Sequence, residues 1–247
     1  MFPLHDDNPT ELFPVFTLGI MAACVAVWIL VQGAGASAEV LAGSVCALGA
    51  IPAEVTGRAG AWAAGPCVPG GLSRGALLTS MFLHGSWLHL VGNLWFLWIF
   101  GNNVEDSMGH LRFLVFYVLT GVLAALAHVL VDPASTVPMV GASGAISGVM
   151  GAYLVLYPRA RVDTLFWIIV FVRVIPLPAW VILGYWFFIQ LVSTGAGGGG
   201  GVAYAAHVGG FAAGVVLVKL FRNPRLVSAK RRGVVLLPGD LDRGGWW

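Results

Sequence analysis

Gly141-Ala142-Ser143-Gly144-Ala145-Ile146-Ser147-Gly148-Val149-Met150-Gly151-Ala152 is the stretch whose reading decides the fold. It carries no charge, and only Ile146, Val149 and Met150 are large. Gly144 and Gly148 form a GxxxG pair, with Gly151 on the same face, a pattern that lets helix backbones approach closely in lipid. A second stretch answers it. Ala206, Gly210 and Gly214 recur at i, i+4 and i+8, and His207 shares a face with Gly210 and Gly214. Packing these two faces together predicts that His207 is carried toward Ser143.

The rest of the chain fits a membrane setting. Of 247 residues, 58% are hydrophobic and 10% charged, where soluble domains carry about 25% charged residues. Mean hydropathy is +0.87. A span needs about 20 apolar residues. Candidate spans run over about 13–32, 81–101, 111–131, 143–157, 178–192 and 202–221. The stretch 164–177 is also apolar, but Arg173 and Pro176 interrupt it, so it reads as an interfacial segment or a loop. The fold class predicted is an all-α membrane protein, a bundle of six transmembrane helices.

Basic residues set the orientation. Six spans put both termini on one side. That side collects Arg112, Arg159, Arg161, Arg173, Lys219, Arg222, Arg225, Lys230, Arg231, Arg232 and Arg243. Only Arg58 and Arg74 lie opposite. Both termini are therefore expected to be cytoplasmic. Residues 1–12 read as a cytoplasmic segment, 13–221 as the membrane domain with a long external loop at 33–78, and 222–247 as a basic, flexible tail suited to an anionic leaflet. Apolar patches at 45–48 and 72–78 are placed to lie on the membrane. Gly197–Gly201 reads as a linker between the last two spans. The first span is read as retained: Ala36-Ser37-Ala38 resembles a signal cleavage site, but no Lys or Arg precedes the apolar run, which exceeds the usual ~7–15 residues. Basic–aromatic stripes outside the spans are missing, which excludes nucleic acid as a partner. Cys24 falls mid-span. Cys46 and Cys67 share the external loop, where a disulfide and a pair of free thiols are both open readings.

Depth brings four polar groups together. Ser143 opens the fourth span, His207 lies near the start of the sixth, and His89 and Asn93 lie in the first half of the second. All three spans start on the external side. A serine hydroxyl is a weak nucleophile that needs a neighbouring base, and His207 is placed to serve. The N-terminus of a helix offers free N–H groups and a favourable dipole to a developing oxyanion. His89 and Asn93, four residues apart, share a face and both donate. With no acid placed to orient His207, the expectation is a Ser143–His207 dyad. Ser147 is expected only to bond its own helix backbone. His84 and His128 are expected at the interface, and His5 and His110 in solvent. Other classes fail on inventory. The segment from His84 to His89 lacks the acid of a His-Glu-x-x-His zinc site. Glu105, Asp106, Asp132 and Asp163 all sit at span ends, which excludes an aspartyl pair within the membrane and leaves ion-coupled transport without its usual buried charges. No metal or other cofactor is expected.

At these residues the chain resembles the rhomboid family of intramembrane serine proteases. The matching pieces are His89-Leu90-Val91-Gly92-Asn93, Gly141-Ala142-Ser143-Gly144, His207-Val208-Gly209-Gly210 with Gly214, and Phe100-Gly101-Asn102-Asn103-Val104-Glu105-Asp106 with Gly109. The similarity covers about residues 13–221. It implies a six-span rhomboid-like core, Ser143 as nucleophile and His207 as its base. It also implies an oxyanion hole from His89, Asn93 and the Ser143 N–H, with Gly141 shaping the site. Substrates would be single-span membrane proteins cut in or near their helices, with span five, carrying Trp186, Phe187 and Phe188, as the lateral gate. Location would be the bacterial cell membrane, the site facing the external side. Some members place a tyrosine one turn after the nucleophile, stacked on the histidine; Ser147 stands there in this chain. The alternative reading is a catalytically silent rhomboid-like protein that binds or escorts membrane clients. Oligomeric state is left open.

Overall fold

A computed structural model describes residues 2–58, 66–67, 73–168, 171–196 and 202–231. The glycine run at 197–201, parts of the external loop and the tail from 232 onward lie outside the described residues. In chain order the elements are β1 (Phe2–Asp6), α1 (Val15–Leu30), α2 (Ala38–Leu48), α3 (Pro52–Val55), α4 (Ala76–Thr79), α5 (Trp87–Met108), α6 (His110–Val131), α7 (Ser143–Leu156), β2 (Arg161–Ile168), β3 (Phe171–Pro178), α8 (Ala179–Gly195), α9 (Tyr204–Phe221) and α10 (Pro224–Arg231). The molecule is mostly helical.

Long helices stand at each of the six apolar segments. Two of them, His110–Val131 and Tyr204–Phe221, are long and apolar enough by themselves to cross a membrane; Val15–Leu30, Ser143–Leu156 and Ala179–Gly195 are shorter apolar helices. At about 1.5 Å per residue, α5 with its 22 residues is about 33 Å long. It starts later than the apolar run because the Ser86 hydroxyl accepts from the His89 N–H at 3.1 Å and caps the helix there. It also runs on through the polar residues to Met108.

α7 lies at the centre. All of its residues from Gly144 to Tyr153 are buried, and it packs on α9 with almost nothing between the backbones. A Cβ on Gly210 would collide with the carbonyl of Gly144, and one on Gly214 with that of Gly148. These contacts are why the two helices need glycine there. Around them Phe100, Phe113, Phe116, Tyr117, Val149, Met150 and Tyr153 form a close-packed core.

The fold departs from the all-α expectation. β1, β2 and β3 form an antiparallel sheet in the order β1-β2-β3, with Phe2 opposite Leu165 and Asp6 opposite Val162. The stretch 164–177, expected to be interfacial or irregular, is the body of this sheet. Pro176, which argued against a strand, lies opposite Asp163 on β3. β3 is an edge strand, where proline is tolerated because its outer side has no ladder bond to lose. The N-terminal segment joins the sheet as β1 and stacks Phe2 on Trp95 of α5 at 5.6 Å. The beginning of the tail is also ordered: α10 is a helix whose Leu226 and Val227 are buried.

Beneath the bundle, the end of α5 gathers these pieces. Glu105, fully buried, accepts from Phe16 N–H at 3.0 Å, Thr17 N–H at 2.8 Å and the Thr17 hydroxyl at 2.7 Å. It thereby satisfies first-turn donors of α1 that have no intrahelical partner. Asp106 accepts from Leu12 N–H at 2.8 Å and from Lys230 Nζ at 2.7 Å. Asp6 accepts from Asn103 Nδ2 at 2.9 Å and from the Tyr153 hydroxyl. Burial pushes the Asp6 carboxyl up from 3.8 to about 6. Glu105 and Asp106 do sit at a helix end, but as the hub joining α1, β1 and α10.

At the opposite end, Cys46 and Cys67 form a disulfide, which resolves the open reading of that pair. The same loop pairs Ala50 with Met139 through two backbone bonds of 3.0 and 2.8 Å, and Gly141 N–H donates to the Ser80 carbonyl at 2.8 Å. The strip leading into Ser143 is thus held from both sides.

Candidate active site

Ser143 is the first residue of α7 and His207 the fourth of α9. The glycine contacts below fix the two helix starts side by side. His207 Nε2 lies 2.7 Å from Ser143 Oγ, within the roughly 2.6–3.2 Å that direct proton transfer requires. Both side chains are half-buried. They line a cavity of about 780 Å³ together with His89, Asn93, Gly141 and Trp186.

His89 and Asn93 occupy the first two turns of α5, which starts at the same end as α7 and α9. The Gly85 N–H donates to His89 Nδ1 at 3.4 Å. In the neutral ring the proton then sits on Nε2, and that atom faces Gly141: a Cβ built there would lie 2.7 Å from it and 3.6 Å from Asn93 Nδ2. Gly141 also has φ +125°, where a side chain is strained. Glycine is required at this point for both reasons. Asn93 is buried, and its Nδ2 has no partner among the described residues. An unpaired buried amide is costly, and this one opens toward the space in front of Ser143. The Ser143 N–H, which as a first-turn group lacks an intrahelical acceptor, belongs to the same cavity wall as His89 and Asn93.

The sequence-predicted residues Ser143, His207, His89, Asn93 and Gly141 are therefore all brought together. Ser147 donates to the Ser143 carbonyl at 2.6 Å, the backbone bond expected of it. His84, expected at the interface, is instead fully buried. The Gln32 amide clasps its main chain through two bonds of 2.8 Å, and its ring meets His89 edge-on at 5.2 Å.

One contact was missed. Gln190, buried on α8, places Oε1 at 2.8 Å from His207 Nδ1. Trp186, one turn earlier, lies with its ring 5.8 Å from the imidazole at an interplanar angle of 34°. The dyad expectation considered acids alone; the signal available was a lone amide in the apolar run 179–192, which in lipid must find a partner.

The chain is similar to proteins of one family. A family model described as Rhomboid domain matches residues 71–224. Rhomboid protein 1, mitochondrial, from Saccharomyces cerevisiae (strain ATCC 204508 / S288c) is 32% identical over 174 residues, covering 64% of this chain and 47% of the relative. Rhomboid-like protein 11, chloroplastic, from Arabidopsis thaliana is 46% identical over 71 residues, 29% of this chain and 25% of the relative. Rhomboid protease GluP from Bacillus subtilis (strain 168) is 41% identical over 78 residues, 32% of this chain and 15% of the relative. The matched part of the chain spans about half or less of the length of these relatives.

Proposed function

The chain belongs to the rhomboid family, and from that premise we propose that it is an intramembrane serine endopeptidase. The observation that carries the reading is the 2.7 Å approach of His207 Nε2 to Ser143 Oγ in front of the unpaired Asn93 amide. Ser143 Oγ attacks the scissile carbonyl while His207 Nε2 takes its proton. The oxyanion is received by His89 Nε2–H, Asn93 Nδ2–H and the Ser143 N–H; each such donor is worth about 10²–10³ in rate. His207 then protonates the leaving amine. Water repeats the sequence on the acyl-enzyme and frees Ser143.

The proposed substrates are single-span membrane proteins cut in or near their helices, reaching the site past α8. α1, α5, α6, α7, α8 and α9 are the six proposed spans. Both termini are assigned to the cytoplasmic side, with 1–12, 13–221 and 222–247 as N-terminal segment, membrane domain and basic tail. The site then faces the opposite, external side. Relatives named mitochondrial, chloroplastic and bacterial span several compartments, so the proposal extends to an integral membrane protein and not to one particular membrane.

A serine-reactive fluorophosphonate tests this directly. Labelling of Ser143 in the wild type that disappears in His207→Ala, together with cleavage of a helical test substrate in liposomes, is the expected result. Undiminished turnover by purified Ser143→Ala rejects the proposal, and an unlabelled, inert but folded wild type favours the client-binding alternative.

A further inference from the structure

We propose that Gln190 is the positioning residue that holds His207 ready as a base, and that it does so only while α8 is seated against α9. The inference rests on the protease reading above and concerns how that site is armed.

The amide orientation is the first support. Gln190 Nε2 donates back to the Trp186 carbonyl at 3.4 Å, which leaves Oε1 facing the imidazole at 2.8 Å. A carbonyl oxygen carries no hydrogen, so Nδ1 must hold the ring proton. Nε2 then presents its lone pair to Ser143 Oγ, the form a base requires. An imidazole with the opposite tautomer would point N–H at the hydroxyl and could not accept its proton. After transfer, the same oxygen faces the N–H of an imidazolium and favours it. The neighbouring titratable groups, His89 on α5 and His128 on α6, make no bond to Nδ1.

The second support is where Gln190 comes from. Ser143 and His207 ride on α7 and α9, which the glycine contacts lock together. Gln190 rides on a third element that is fastened differently. α8 buries Ala179, Ile182 and Leu183 near its start, and then only Gln190, seven residues on. Between them Trp186 and Phe187 lean on the α9 ring of Phe211, at 6.1 and 4.6 Å. Its other face leaves Trp180, Tyr185, Phe188, Leu191 and Val192 exposed. A lateral swing of α8 would leave Ser143 and His207 adjacent yet withdraw the group that sets the tautomer. The base is thus unset while the side of the bundle is open and set again when α8 returns. Peptide hydrolysis is confined to the closed state.

The test compares Gln190→Met, similar in shape but without the carbonyl oxygen, with Gln190→Glu, which supplies a carboxylate oxygen in its place. Both are reconstituted full length in liposomes with a helical test substrate, and thermal unfolding in detergent verifies folding. Gln190→Met is expected to lower kcat about 10- to 100-fold, at or below the lower end of the roughly 10²–10⁴ that general-base catalysis supplies because the imidazole itself stays in place, with KM within about twofold. Fluorophosphonate labelling of Ser143 slows in parallel. Gln190→Glu recovers most of the lost kcat. Leu183→Ala, which loosens α8 away from the ring, lowers kcat in the wild type and adds little to Gln190→Met. Wild-type kcat in a folded Gln190→Met, or a loss carried by KM alone, overturns the positioning role. Independent multiplication of the Leu183→Ala and Gln190→Met effects overturns the dependence on α8. Should Gln190→Met not fold, Gln190→Ala is read by the same criteria. A wild type that neither labels nor cleaves defeats the protease reading instead, a distinct outcome.

Discussion

Two groups of buried polar side chains, one at each end of this bundle, are treated in opposite ways. At the end that holds Ser143, Asn93 Nδ2 is buried without a partner among the described residues and His89 Nε2 faces a cavity. At the other end, Glu105, Asp106 and Asp6 are buried too, yet each accepts several donors from α1, α10, α5 or α7. An unpaired buried group costs stability, whereas a saturated one holds elements together. The contrast separates a surface shaped to receive something from a joint.

Removing His207 strikes the open end hardest. His207→Ala should reduce turnover about a thousandfold or more, in line with loss of a general base, while the unfolding temperature changes little. Asn93→Ala should cost about 10²–10³ in kcat and leave the fold as stable as before or slightly more so, because the amide it deletes has no bond to lose. A clear drop in melting temperature would mean that Asn93 is part of a joint after all, and the contrast would fail. The reverse pattern belongs to the other end. Glu105→Ala should destabilise the protein by about 2–4 kcal/mol, since it strands buried donors of α1, while kcat per folded molecule stays near wild type. Turnover and thermal unfolding on the same preparations separate the two effects.

The smallest effect expected is a pH dependence. The Asp6 carboxyl titrates near 6 when folded and near 3.8 when not, so the folded state binds this proton more tightly. The resulting stabilisation is full below about pH 4, fades as pH rises toward about 6 and is gone above it. Asp6→Asn should flatten that slope in unfolding measurements between pH 4 and 7.

Legibility followed the same division. The small-residue faces of α7 and α9 are a repeating pattern with one physical use, so their packing and the nearness of Ser143 and His207 could be read from spacing. His89 and Asn93 followed because both lie at a helix start on the same side as Ser143 and His207, whereas Gly141 came only from the family resemblance. The sheet was hidden: β2 and β3 carry apolar residues on both faces, which erases strand alternation, and Pro176 looked like a breaker because nothing local says that β3 is an edge. The hub at Glu105 and Asp106 was invisible for another reason. Its partners lie about 90 residues earlier in the chain and, for Lys230, 124 residues later, and pairing over such distances leaves no periodic trace. Gln190 leaves no such trace either: a single amide in an apolar run looks the same in sequence whether or not its oxygen faces an imidazole.

The crossing of α7 and α9 has one more implication. Gly210 and Gly214 each meet a backbone carbonyl oxygen of α7 as their nearest neighbour, so the spacing between nucleophile and base is inherited from the polypeptide scaffold itself. Outward-facing residues of α9, such as Val216 and Leu220, are then free to drift with bilayer thickness or client repertoire without disturbing the reactive centre. Selection can renovate the exterior of such a machine while its engine stays untouched.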